Sequence, residues 1–319
     1  MTGGVYPHPY VRALALYNGK LIAGGDFVAA GGVAASGIAA WDGRSWSPLG
    51  SGMGGLSPCV NVLTVYDGQL IAGGFFTMAG DVEASRIASW NGSVWSPLGF
   101  GTNYDVLALT MYEGKLIAGG GFSTADSVTV NHIASWDGSD WSPLGSGMNI
   151  HIDALTVRDG KLVAGGEFTT AGGAPASQIA SWDGSSWSHL GSGMNGAVAA
   201  LLCYDRNLVA GGSFTRAGDK VSAYLAQWTR RDPCCTARVG DADGEGAYPD
   251  EVTLGDIMTM VDVKFISGDC SIIPCLEEAD ANQSGGSLST CDDITLGDIM
   301  ILVDFLFIHP ETAILPDCL

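Results

Sequence analysis

The chain has 319 residues, 46% of them hydrophobic, and a formal net charge of −20 at pH 7. That length allows two domains with a sizeable core, and the acidic balance offers no basic stripe to a nucleic-acid backbone. The longest apolar run, Ile299–Phe307, is broken by Asp304 and is too short for a membrane span.

Charge and cysteine divide the chain. Residues 1–231 hold 16 acidic against 12 basic side chains, whereas residues 232–319 hold 18 acidic against Arg238 and Lys264 alone. Cys59 and Cys203 stand apart in the first part, where they are expected to be buried small hydrophobes; Cys234, Cys235, Cys270, Cys275, Cys291 and Cys318 crowd the second. Six cysteines in a short acidic module suggest a disulfide framework and an oxidising compartment. The expected boundary follows: 1–231, then 232–319.

In chain order, Met1-Thr2-Gly3-Gly4 has neither the basic start nor the apolar core of a secretory signal. It aligns instead with Met53-Gly54-Gly55, so the sequence starts inside a repeat and the natural polypeptide is expected to extend upstream. The repeat is clearest at Leu155–Met194. Its glycine doublet recurs at Gly24-Gly25, Gly73-Gly74, Gly119-Gly120, Gly165-Gly166 and Gly211-Gly212, and its first tryptophan at Trp41, Trp90, Trp136, Trp182 and Trp228. A fixed period of this size marks a stacked or circular array. Within one unit, DALTVRDG and KLVAGG are apolar, β-branched runs joined at Asp159-Gly160, a hairpin signal, and IASWDG and SSWSHLG repeat the device at Asp183-Gly184. Each unit is therefore predicted to be a four-stranded antiparallel meander whose apolar face only a neighbouring unit can cover, which favours a propeller. After Trp228 the second tryptophan is missing, so the fifth unit should lack its fourth strand.

The doublet closing the second strand, followed by paired aromatics such as Trp182 and Trp187, resembles a kelch-type β-propeller blade. The resemblance covers residues 11–228 and implies a mainly β fold, a β-propeller of about five four-stranded blades with the last incomplete. It says little of function, because propellers host unrelated activities. The longer second-to-third and blade-to-blade links share one face, the default binding surface. The residue after the doublet varies there, and Asp26, Phe75, Glu167 and Ser213 are the candidate ligand-binding residues, with Gly121 in the remaining blade. The histidines His8, His132, His151 and His189 hold unrelated repeat positions, so no multi-blade metal or hydrolytic centre is visible. Trp41 and its equivalents could stack sugars or pack the blades.

Beyond Pro233 a second repeat appears, VTLGDIMTMVDVKFI at 252–266 against ITLGDIMILVDFLFI at 294–308, each preceded by an oxygen-rich segment. Alternating oxygen ligands, a turn glycine and a carboxylate opening the next helix are the logic of a hard-cation loop. The duplicated loop and helix resembles a type I dockerin, over about 236–308. The resemblance implies a small α-helical calcium-binding domain with two Ca²⁺ sites, Asp241, Asp243, Glu245 and Asp256 at one and Asp280, Asn282, Ser284 and Asp298 at the other, the second weaker. It also implies contact with a cohesin-like partner through Leu254, Gly255, Leu296 and Gly297. Inserts at Ala247–Glu251 and Gly286–Asp293 depart from the family pattern; they either bulge from intact sites or bring in Asp250, Glu251, Asp292 or Asp293 as ligands.

These readings point to an extracellular or cell-surface binding or scaffold protein without catalytic residues. Its propeller recognises a carbohydrate or protein ligand, and its tail docks to a cohesin-type partner with Ca²⁺. The alternatives are a polysaccharide hydrolase carrying a dockerin, which needs a paired acid and base, and a purely structural surface protein.

Overall fold

The computed structural model describes residues 10–204 and 207–228. The chain divides into two compact units after Trp228. The expected calcium loops, helices, disulfides and partner-contact residues of 232–319 lie outside the described residues.

The described residues form a β-propeller array. In the fourth blade the strands Ile152–Arg158, Lys161–Gly166, Ile179–Trp182 and Trp187–His189 follow one another antiparallel in sequence order. Three other blades repeat this arrangement, starting with Tyr10–Tyr17, Cys59–Tyr66 and Val106–Tyr112. The fifth has Val198–Tyr204, Asn207–Gly212 and Leu225–Trp228; the segment after Trp228, where a fourth strand was expected to be lacking, lies outside the described residues. The first strands of successive blades pack against one another, which makes them the inner strands of the array.

The first hairpin of the fourth blade closes as expected, with positive φ at both Asp159 (50°) and Gly160 (71°), the type I′ pattern that matches strand twist. The second hairpin differs. Trp182 pairs with Trp187 across a four-residue loop, and the Asp183 carboxylate accepts hydrogen bonds from the backbone N–H of Ser185 (2.9 Å) and Ser186 (2.8 Å). An aspartate that caps its own turn removes the need for a two-residue turn there.

Two contacts join each blade to the next. The first glycine of a doublet receives a β-branched side chain: a Cβ at Gly165 would lie 2.5 Å from Val198 Cγ1, and at Gly24 2.6 Å from Val60 Cγ1. The second tryptophan donates its indole N–H backwards, Trp187 to the Leu144 carbonyl at 2.9 Å and Trp95 to Leu49 at 3.0 Å. Each tryptophan pair lies with ring centroids 5.2–5.5 Å apart, and Trp90, Trp136 and Trp182 are buried. In the second to fourth blades these rings pack the blades, whereas Trp41 and Trp46 of the first blade are half-buried. Phe122, Phe168 and Phe214, two residues beyond the doublets, are fully buried in the core.

The link methionines Met53, Met148 and Met194 pair with Ala79, Ala171 and Ala217 of the following blade. Cys59 and Cys203 are free thiols and half-buried rather than buried.

Candidate functional site

The inner strands begin on the face opposite the Asp-Gly hairpins, and there every blade carries a β-bulge. In the fourth blade Ile152 pairs with Gly166 and Ala154 with Gly165, leaving Asp153 as the extra residue. The same register shift leaves Arg12, Asn61, Leu107 and Ala199 extra elsewhere. Bulges re-aim a side chain without dismantling the sheet.

Around this bulge the chain places three further positions beside the second doublet glycine. The carbonyl before the β-branched residue that packs on the neighbouring blade's doublet glycine, here Ile152 and called the plug, crowds that glycine; a Cβ at Gly166 would lie 2.4 Å from the His151 oxygen. Glu167 N–H donates to His151 O and Gly166 N–H to Gln178 O. Gln178 holds a left-handed φ of 61°, as do Arg86 (68°), His132 (72°) and Tyr224 (67°) at the matching positions. Such backbone strain in non-glycine residues clusters where side chains must be aimed.

None of these four positions uses the same residue twice. The bulge position reads Arg12, Asn61, Leu107, Asp153, Ala199; the position before the plug reads Tyr10, Cys59, Asp105, His151, Ala197. The position after the doublet and the left-handed position vary as completely. The neighbours that pack the blades stay Val or Ile and Gly. The expected ligand residues Asp26, Phe75, Glu167 and Ser213 thus belong to one of four positions that rim the inner strands, called the mouth below. Arg86, Asp105, His132, His151 and Asp153 do not stand out at any single repeat position, because the mouth joins different positions of adjacent blades. The left-handed position carried a readable signal, five unlike residues before an Ile or Leu that hardly changes.

Side chains at the mouth interact within and between blades. His151 Nε2 lies 3.6 Å from Asp153 Oδ1 and 3.9 Å from Glu167 Oε2. Burial pushes the Asp153 carboxyl up; the His151 charge opposes this and Glu167 adds to it. Burial pushes the His132 imidazole down, with His151 of the next blade reinforcing the shift. The Arg86 guanidinium sits 5.9 Å from the Phe75 ring centre and donates to the Thr102 carbonyl at 3.3 Å. It also opposes the burial that raises Asp105. Arg86 Nε, Asp105 Oδ1 and His132 Nδ1 are buried polar atoms without a protein partner, a condition folded proteins usually avoid. Tyr104 covers Gly121, where a Cβ would lie 2.6 Å from its ring, and it is itself exposed.

The surrounding links are fixed. Asn149 Oδ1 accepts from the backbone of Thr169 and Thr170, and Asn103 and Asn195 do the same in their blades. Among the described residues no cluster of three His, Cys, Asp or Glu side chains is arranged to hold a metal ion. No helix among them is long and apolar enough to cross a membrane.

Comparison with known proteins agrees with the blade architecture. Residues 158–180 match the family described as "Domain of unknown function (DUF5122) beta-propeller". No curated protein matches the chain. Among solved structures, the extracellular domain of BT4673 from B. thetaiotaomicron is similar over 78% of this chain at 12% identity, with a TM-score of 0.48. This chain spans 30% of that one. The computationally designed Ika8 protein is similar over 69% of this chain and 71% of its own, at 18% identity and a TM-score of 0.39. The reading of the mouth rests on this chain's own residues.

Proposed function

We propose that the protein is a non-catalytic, extracellular binding protein whose kelch-like propeller takes a carbohydrate ligand at the mouth. One observation carries the reading: the positions that differ in every blade converge at one end of the inner strands, while the packing positions stay fixed. The chemistry there suits a glycan, with exposed aromatic faces at Phe75 and Tyr104 beside carboxylates, an imidazole and an amide that can share hydroxyl hydrogen bonds. Binding of the full chain to a glycan array, followed by titration calorimetry on the best hit, tests it. Replacing Asp153 with Asn and Glu167 with Gln together is expected to weaken binding at least about tenfold, a loss of about 1.4 kcal/mol. An array on which the parent protein binds no glycan overturns the proposal.

The His151–Asp153–Glu167 group favours one rival, hydrolysis of the bound glycan, since two carboxylates near a bond are the requirement for that chemistry. Release of reducing ends from any array hit, lost in the double variant, would establish it.

The acidic repeats at 241–256 and 280–298 support a second function for the tail, Ca²⁺-dependent docking to a cohesin-like partner. Clustered carboxylates repel one another, and a bound divalent cation offsets that repulsion. Calcium is expected to raise the tail's melting transition in the full chain, and Asp256→Ala or Asp298→Ala to remove most of the gain. A transition that chelator leaves unmoved would count against it.

A further inference from the structure

The third blade departs from its neighbours at one position of the mouth. After the doublet the second and fourth blades carry side chains, Phe75 and Glu167, whereas the third carries Gly121. The space is nevertheless filled, because a Cβ at Gly121 would lie 2.6 Å from Cδ1 of Tyr104, which comes from the link into that blade. The glycine therefore lets the link supply the aromatic face that Phe75 supplies directly one blade earlier. The link that carries this ring is itself held: the Tyr104 carbonyl accepts from the Thr102 hydroxyl at 2.8 Å, and Asn103 Oδ1 accepts from the backbone of Ser123 and Thr124.

From the second blade to the fourth, the position thus presents a phenyl ring, a phenol ring and a carboxylate. All three are accessible, Phe75 at 38%, Tyr104 at 57% and the Glu167 side chain at 56%. Each ring is followed by a polar pair that spans the seam to the next blade. Arg86 of the second blade lies 5.9 Å from the Phe75 ring centre and opposes the burial that raises Asp105 of the third. His132 of the third blade feels the charge of His151 of the fourth, whose Nε2 is 3.6 Å from Asp153 Oδ1. One aromatic face with one polar pair therefore occurs twice, in adjacent blades.

We infer that the mouth takes consecutive sugar units of a neutral, linear polysaccharide laid across the second, third and fourth blades, an inference that rests on the carbohydrate reading above. Each ring offers a broad apolar face to the C–H face of one sugar, and each polar pair serves that sugar's hydroxyls. Two such places side by side suit a chain better than a single sugar, because once the first unit is seated the second binds as part of the same molecule and adds affinity without a new encounter. Charge selects against a polyanion: in these blades Asp105, Asp153 and Glu167 at the mouth stand against Arg86, on a chain of net charge −20.

The test uses the full chain and length ladders of linear glucose, mannose, xylose and galactose oligomers, from the monomer upward, first on an array and then by titration calorimetry, with polygalacturonate as the charged comparison. Affinity for the bound series should climb at least about tenfold from the monomer before it levels off. Phe75→Ala and Tyr104→Ala should each lower that plateau at least about tenfold and melt as the parent does, since both rings are exposed. Tyr104→Phe, which keeps the ring face, should retain the plateau. An affinity independent of chain length, a Tyr104→Ala variant that binds every oligomer as the parent does, or tighter binding to polygalacturonate than to any neutral oligomer would overturn this inference and leave the carbohydrate reading standing. A parent that binds no carbohydrate of any length overturns both.

Discussion

At the scale of single residues, the same side-chain type serves opposite ends of a blade. Asp137 and Asp183 cap the outer hairpin turns, and backbone hydrogen bonds from Asp140 and Ser186 hold their carboxyls below the ordinary 3.8, Asp137 at about 2. A carboxyl lowered by folding contributes stability above its unfolded value and loses it as pH falls through the folded one. Melting temperature should therefore fall between about pH 4 and pH 2, and Asp137→Asn with Asp183→Asn should flatten that limb while leaving the fold intact. Asn91 already fills this role in the second blade, accepting from Ser93 and Val94 at 3.0 Å. An acid limb equal in parent and variant would dismiss the caps as its source. At the mouth, burial instead pushes Asp105 and Asp153 up, and no single-position pattern in the sequence foretells that, because the cause is packing from a neighbouring blade.

At the scale of strands and turns, local chemistry was legible and cross-blade chemistry was not. Asp159-Gly160 announced its turn because both residues tolerate positive φ. Asp183-Gly184 has the same letters but a longer loop, since the serines that follow supply N–H donors to the aspartate. The link methionines Met53, Met148 and Met194 pair with the following blade, and their partners Ala79, Ala171 and Ala217 lie well along the chain. The doublet's first glycine has a sharper test. Gly165→Val would drive a Cβ to 2.5 Å from the buried Val198 and should cost about 1–3 kcal/mol in denaturant unfolding. Gly211→Val, with nothing nearer than 3.9 Å, should be close to neutral, and equal losses at the two sites would refute this account of the contact between blades.

At the scale of the molecule, the period announced a propeller, and the described residues form a propeller array. Whether the array closes was not legible, because closure depends on the angle each blade turns through and not on any residue type.

The bulge on each inner strand separates two jobs that most binding sites mix. The Val, Ile and Gly residues that pack neighbouring blades stay nearly constant while the mouth positions vary, although Asn61 and Arg86 at the mouth also donate across blades, to the Val106 and Thr102 carbonyls. A new specificity could thus be composed blade by blade, like type set in a fixed frame, with five slots of four letters and no redesign of the press.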